Sequence, residues 1–135
     1  MAKRSKARRR ALEILFEAEQ RGISPEQVLK TRTEKGDLVA NEYVGEILTG
    51  VTERQERIDE LLSTYARGWT VERMPRVDLM ALRIGTWEIL YNEEIPDGVA
   101  VAEAMALVRQ LSTEESPKFV NGVLGRIQQL KSTLE

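Results

Sequence analysis

Apolar residues recur at spacings of three and four along nearly the whole chain, and no segment alternates with a period of two. That pattern predicts helix after helix and no sheet. A first helix is expected from near Lys6 to just before Gly22, a natural end residue. Its polar face carries Lys6, Arg9, Arg10, Glu13 and Glu17, and its apolar face Ala7, Ala11, Ile14, Leu15 and Ala18. Ser24-Pro25-Glu26-Gln27 announces a short second helix ending near Arg32, because Ser24 can cap, Pro25 suits the first turn and Gln27 completes a capping box. Residues 33–37, with Gly36, read as a loop.

A third helix is expected over about 39–52, striped by Val44, Ile47, Leu48 and Val51, and a fourth over 54–67, striped by Ile58, Leu61, Leu62 and Tyr65 and ended by Gly68. Residues 70–74 suit a single turn stopped by Pro75. The fifth helix, about 76–91, is apolar on two sides and is therefore expected to pack centrally. A sixth spans about 99–111, and Ser116-Pro117 restarts a seventh carrying Val120, Val123, Leu124 and Ile127. Gly122 and Gly125 in that last helix suggest a close approach by another helix. Trp69, Trp87, Tyr43, Tyr65 and Tyr91 lie in or beside apolar stripes, so core packing is expected for them. Short connections favour antiparallel neighbours. The expected fold is all-α, a seven-helix bundle of two small helical subdomains, with residues 6–135 forming one domain.

The chain has 135 residues with a net charge of −2, which hides an asymmetry. Six of its 20 cations and none of its 22 anions fall in the first ten residues: Lys3, Arg4, Lys6, Arg8, Arg9 and Arg10. The other 125 residues hold 14 cations against 22 anions, a net of −8. A basic arm over 1–10 thus runs into an acidic body. Such an arm commonly meets nucleic-acid phosphates, and the alternative is a solubilising tail.

The absence of cysteine excludes disulfides, thiolate metal sites and cysteine nucleophiles, and it fits a reducing, cytoplasmic setting. The absence of histidine removes the commonest general base and metal ligand. The longest stretch free of charge is seven residues, 119–125, so no membrane span is expected. No phosphate loop is present, and no nucleophile, base and oxyanion donors converge, so no enzyme, cofactor or metal is expected. Glu93-Glu94 and Glu114-Glu115 read as solvated pairs at helix ends, the second favourable at a helix start.

Two places remain as candidate chemistry. Phe16 lies at the border of the first helix, on Arg9's side, where an aromatic can stack beside a cationic track or simply pack at the core rim. Arg8 projects toward the apolar side and is expected to reach off the helix end. Lys118-Phe119 occupy the first turn of the last helix, where backbone N–H groups favour phosphate, although such pairs often only pack.

Ala7-Arg8 through Ala11-Leu12 to Leu15-Phe16, Leu82-Arg83-Ile84 with Trp87-Glu88-Ile89-Leu90, Ile95-Pro96 with Val99-Ala100 and Glu103-Ala104, and Lys118-Phe119-Val120-Asn121-Gly122-Val123-Leu124 follow one another in order. Together they resemble the NusB family of transcription antitermination factors over nearly the whole chain. The resemblance implies the seven-helix, two-subdomain fold, binding to the boxA element of ribosomal RNA leaders, and action with the small-subunit ribosomal protein NusE to help RNA polymerase resist termination. It places RNA contacts on Lys3–Arg10 and Phe119, with Phe16 where the family commonly has tyrosine. It places NusE contacts on Glu72 and Asp78, the latter where some members have the longer glutamate, and puts Glu115 near both surfaces. An RNA methyltransferase reading fails for want of a catalytic cysteine. The other readings are a helical interaction module, such as a homodimer with a solubilising tail, and, less favoured, a helix-turn-helix DNA binder, which needs a basic internal helix that this chain lacks.

Overall fold

The computed structural model describes residues 2–36 and 41–134, and all its regular elements are helical. They are α1 (Ala2–Arg21), α2 (Pro25–Glu34), α3 (Glu42–Tyr65), α4 (Arg76–Tyr91), α5 (Asp97–Leu111) and α6 (Ser116–Leu134), with one 3-10 turn at Val71–Arg73. The all-α expectation holds, and the helix count is six among the described residues.

The difference lies in α3. The expected third and fourth helices are one continuous helix, whose expected start near Val39 lies outside the described residues. Nothing between Thr52 and Arg54 can interrupt a helix. The β-branched Thr49, Val51 and Thr52 each weaken it by only a few tenths of a kcal/mol. Burial of Ile47, Leu48, Val51, Ile58, Leu61 and Leu62 outweighs that cost. Asn41 starts α3 by accepting the Tyr43 backbone N–H at 3.1 Å. In α2 both halves of the capping box form, each at 3.1 Å. α1 begins four residues before the expected Lys6, because residues 2–5 contain no breaker and Ala, Lys and Arg are good helix formers.

α4 forms over the expected residues and is buried without interruption from 78 to 89. It packs against α1, α3, α5 and α6, which makes it the axis of the core. Close approach is set by glycines on α3 and α4. A Cβ at Gly50 would lie 2.1 Å from the Trp87 indole nitrogen, and one at Gly85 would lie 2.8 Å from Leu124 Cδ1. The expectation for Gly122 and Gly125 is not met: Gly125 has nothing within 4 Å of such a Cβ, and Gly122 only its own helix's Arg126 at 3.8 Å. Ion pairs join the rims. Glu17 accepts from Arg32 at 2.8 Å and Arg21 at 2.8 Å, tying α1 to α2, and these bonds hold its carboxyl below the usual range. Arg83 grips Asp59 with two bonds of 2.9 and 2.8 Å, joining α4 to α3.

Gly50→Val should destabilise the fold by about 1–3 kcal/mol or more, because a side chain there would clash with the rigid Trp87 indole, which must shift to admit it. Urea unfolding of the variant measures this, and Gly125→Ala, with open space around it, should cost nothing.

Candidate nucleic-acid interface

Lys3, Lys6, Arg9 and Arg10 are exposed along the first three turns of α1. Arg9 and Arg10 both approach Glu13, at 3.5 and 3.4 Å, and Arg9 also donates to Gln110 at 3.3 Å. Exposed pairs of this kind contribute about 0–1 kcal/mol, so these cations can exchange partners readily. Arg4 lies across the Tyr43 ring at 5.2 Å and reaches Glu94 at 3.5 Å.

Arg8 behaves differently. It does not reach off the helix end, as expected, but turns inward and is 1% exposed. Its Nε donates to both Glu88 oxygens, at 3.1 and 2.9 Å, and its Nη1 to Glu103 at 2.7 Å. Tyr43 donates its hydroxyl to Glu88 and accepts from Asn92 at 3.2 Å, while Ser5 donates to Glu103 at 2.5 Å. The reason is placement: Arg8 sits on the apolar face of α1, opposite a glutamate in the most buried helix, so pairing with each other offsets much of the desolvation that both would suffer. Burial raises the Glu88 carboxyl, opposed by Tyr43 and Arg8, and burial followed by the Glu88 bond raises the Tyr43 hydroxyl above its ordinary 10. Phe16 is half-buried and packed against the core.

A groove of about 620 Å³ opens at the start of α6 and collects four of the expected site residues: Asp78, Glu115, Lys118 and Phe119. Phe16, Glu72 and the arm lie outside it. Arg9 meets Gln110 in the last turn of α5, which itself does not line the groove. Asp78 is only 2% exposed and does not project from the surface. It accepts from Ser112 at 2.6 Å, Ser112 accepts from Ser116 at 3.0 Å, and Ser116 accepts the Thr113 N–H at 3.2 Å. This relay holds the α5–α6 connection against the start of α4. Glu72, on the 3-10 turn, is exposed.

Sequence patterning missed three groove residues. Trp69 is 45% exposed, against the expectation that it packs in the core, and its ring meets Phe119 at 5.8 Å with a 56° tilt. Arg67 and Arg126 add cations to the wall, and Arg126 is held by donating to the Tyr65 carbonyl at 2.6 Å. Trp69 follows Gly68, outside any helical stripe, so periodicity carried no signal for it. The inward pair had a signal: Arg8 and Glu88 are charges placed on apolar faces.

A cationic helix face and an aromatic, cation-rimmed groove on a six-helix bundle define an all-helical binding protein. Among the described residues no group of acids could hold a metal ion, and no helix is long and apolar enough to cross a membrane. The chain belongs to the NusB family, whose sequence pattern matches residues 5–129. Two relatives, the transcription antitermination proteins NusB of Arthrobacter sp. (strain FB24) and of Paenarthrobacter aurescens (strain TC1), are each 60% identical, over 99% of this chain and 98% of their own. T. maritima NusB shares the fold with a TM-score of 0.84 and 33% identity, over 93% of this chain and 90% of that one. A chain in a crystal structure of antitermination factors NusB and NusE in complex with dsRNA matches with a TM-score of 0.85 and 26% identity, over 96% and 98% of the two chains.

Arg8→Ala leaves Glu88 buried without its counter-charge and should cost about 3–5 kcal/mol in urea unfolding. Adding Glu88→Gln should recover part of that loss. Tyr43 ionises near 10 when unfolded and higher when folded, so its contribution is intact below pH 10 and is lost as pH rises beyond it. In an absorbance titration its phenolate signal should emerge only with alkaline unfolding, and Tyr43→Phe should remove that late component.

Proposed function

We propose that this chain is a transcription antitermination factor that binds the boxA RNA element of ribosomal RNA leaders together with NusE and supports processive transcription by RNA polymerase. The observation that carries this reading is the end-to-end match with antitermination proteins, within which the cations and the groove fall on one helical frame. The protein acts by binding and not by catalysis, in the cytoplasm, as a single domain over 6–135 with the basic arm of 1–10 running into its first helix. The first three helices and the last three form two small subdomains that meet on α4.

Roles follow from exposure. Lys3, Lys6, Arg9 and Arg10 present charge to phosphates, with Arg4 beside them. Lys118 and Phe119 receive the strand at the α6 start through the ammonium and the ring, since the Ser116 and Phe119 N–H groups are bonded to the Thr113 and Glu115 carbonyls and Pro117 has none. Phe16 offers a ring edge between its core contacts and the cations. Arg8 supports RNA binding indirectly, by fixing the turn of α1 that carries Arg9 and Arg10. Glu72 and Glu115, both exposed, face a basic ribosomal partner, and the body's net charge of −8 speeds that encounter. Asp78 serves the same surface by holding the α5–α6 connection in place.

The test is fluorescence anisotropy on a boxA-like single strand and a scrambled control, with and without NusE. Sequence-selective binding that NusE strengthens is expected, and unselective binding that ignores NusE overturns the reading. Arg9→Ala with Arg10→Ala should weaken binding and reduce the magnitude of the log K against log salt slope by about 1.4, as for two lost single-strand phosphate contacts. The fold should be unaffected, since both side chains are exposed.

A further inference from the structure

Trp69 is the one large hydrophobic side chain exposed among the described residues. Its position is built. Gly68, at φ +82°, turns the chain out of α3 in a conformation that a residue with Cβ resists, and the Trp69 N–H donates back to the Ala66 carbonyl at 3.0 Å. The indole then meets Phe119 across the groove at 5.8 Å, tilted by 56°. The two rings touch at one edge and form a wedge: Phe119 backs onto the core, and the open surface is that of the exposed indole.

The charges around the wedge are ordered. Arg67, Lys118 and Arg126 bring three cations to the groove, while Asp78 and Glu115 bring two carboxylates. Asp78 is buried, so its charge repels a phosphate from the floor. Phosphates are therefore held by the cations at the rim, and what lies against the open indole of the wedge is flat and uncharged.

We propose that Trp69 supplies, with Phe119, a stacking wedge that takes one unpaired nucleobase of the bound RNA, its phosphates lying on Arg67, Lys118 and Arg126. The proposal rests on the RNA-binding reading above and adds to it a residue and an occupant. Bases stack on exposed aromatic side chains with useful strength and little sequence demand. A preset indole gives up little side-chain freedom on binding.

The experiment combines Trp69→Leu and Trp69→Phe with an abasic scan of the boxA-like strand, read by anisotropy. Trp69→Leu should lose about tenfold in affinity and Trp69→Phe about threefold or less. One abasic position should show a comparable loss on the wild-type protein and little further loss on Trp69→Leu, the signature of a shared contact. Wild-type tryptophan fluorescence should also fall as RNA is added, because Trp87 is 8% exposed and Trp69 is the accessible indole. This readout needs no variant to fold. RNA binding with unchanged fluorescence and unchanged affinity for Trp69→Leu overturns the wedge and leaves the RNA reading standing. Loss of NusE binding alone in Trp69→Leu assigns the groove to the protein partner and also overturns it. Failure of the wild-type protein to bind RNA removes both.

Discussion

Arg8 and Glu88 are a charge pair taken almost wholly out of water, each 1% exposed. Desolvation of such ions costs several kcal/mol apiece, and an apolar pair of equal size would often stabilise a fold as well or better. What the ions add is register. An apolar contact tolerates a helix that slides by a fraction of a turn, but a guanidinium bound to Glu88 and Glu103, with Tyr43 on the shared carboxylate, does not. Those four residues come from α1, α4, α5 and α3, so a single buried cluster indexes four helices against one another. The helix most constrained is α1. Its cationic turns would otherwise be a free basic tail; with Arg8 locked beneath them, Arg9 and Arg10 stand on a rigid support.

That support changes what the basic arm can do. Six cations on a flexible tail attract any polyanion. On a helix with fixed orientation and Arg8 turned inward, the five others present a track of defined direction, which can favour one strand path over another. The acidic body sharpens the effect, because its net charge of −8 discourages phosphates elsewhere and leaves attraction local to the arm and the groove rim. Opposite signs on one small bundle thus separate two kinds of partner without a second domain.

The helices were readable because each buries a stripe, and stripes have a period. α4 emerged at its true bounds, since Pro75 and the polar residues after Tyr91 frame an apolar run. α3 is one helix where two were expected, because both stripes lie on one run with no breaker between Thr52 and Arg54. Gly50 and Gly85 mark close packing because a neighbour fills the space of their missing side chains, whereas Gly122 and Gly125 face room. Sequence spacing does not distinguish those cases, because the filling atoms come from distant segments. Phe119 and Lys118 were legible from their place in a first turn, and the resemblance named Asp78 and Glu115 beside them.

The groove itself was not legible, and the reason also explains its use. Nearly half of its wall comes from chain that leaves the helices: Ala66, Arg67 and Trp69 after α3, Pro75 before α4, and Thr113 and Glu115 before α6. Such segments have no period to read. They also leave polar backbone and side chains unclaimed by helical bonding, so the surface they form is one on which a ligand can compete. Ordinarily that freedom brings mobility. Here the hydroxyl relay from Ser116 through Ser112 to Asp78, and the hold of Arg126 on the Tyr65 carbonyl, remove it on both sides. A buried carboxylate that looks in sequence like a partner contact is thereby a brace, and the exposed aromatic that looks like misplaced core is the part left free to meet a ligand.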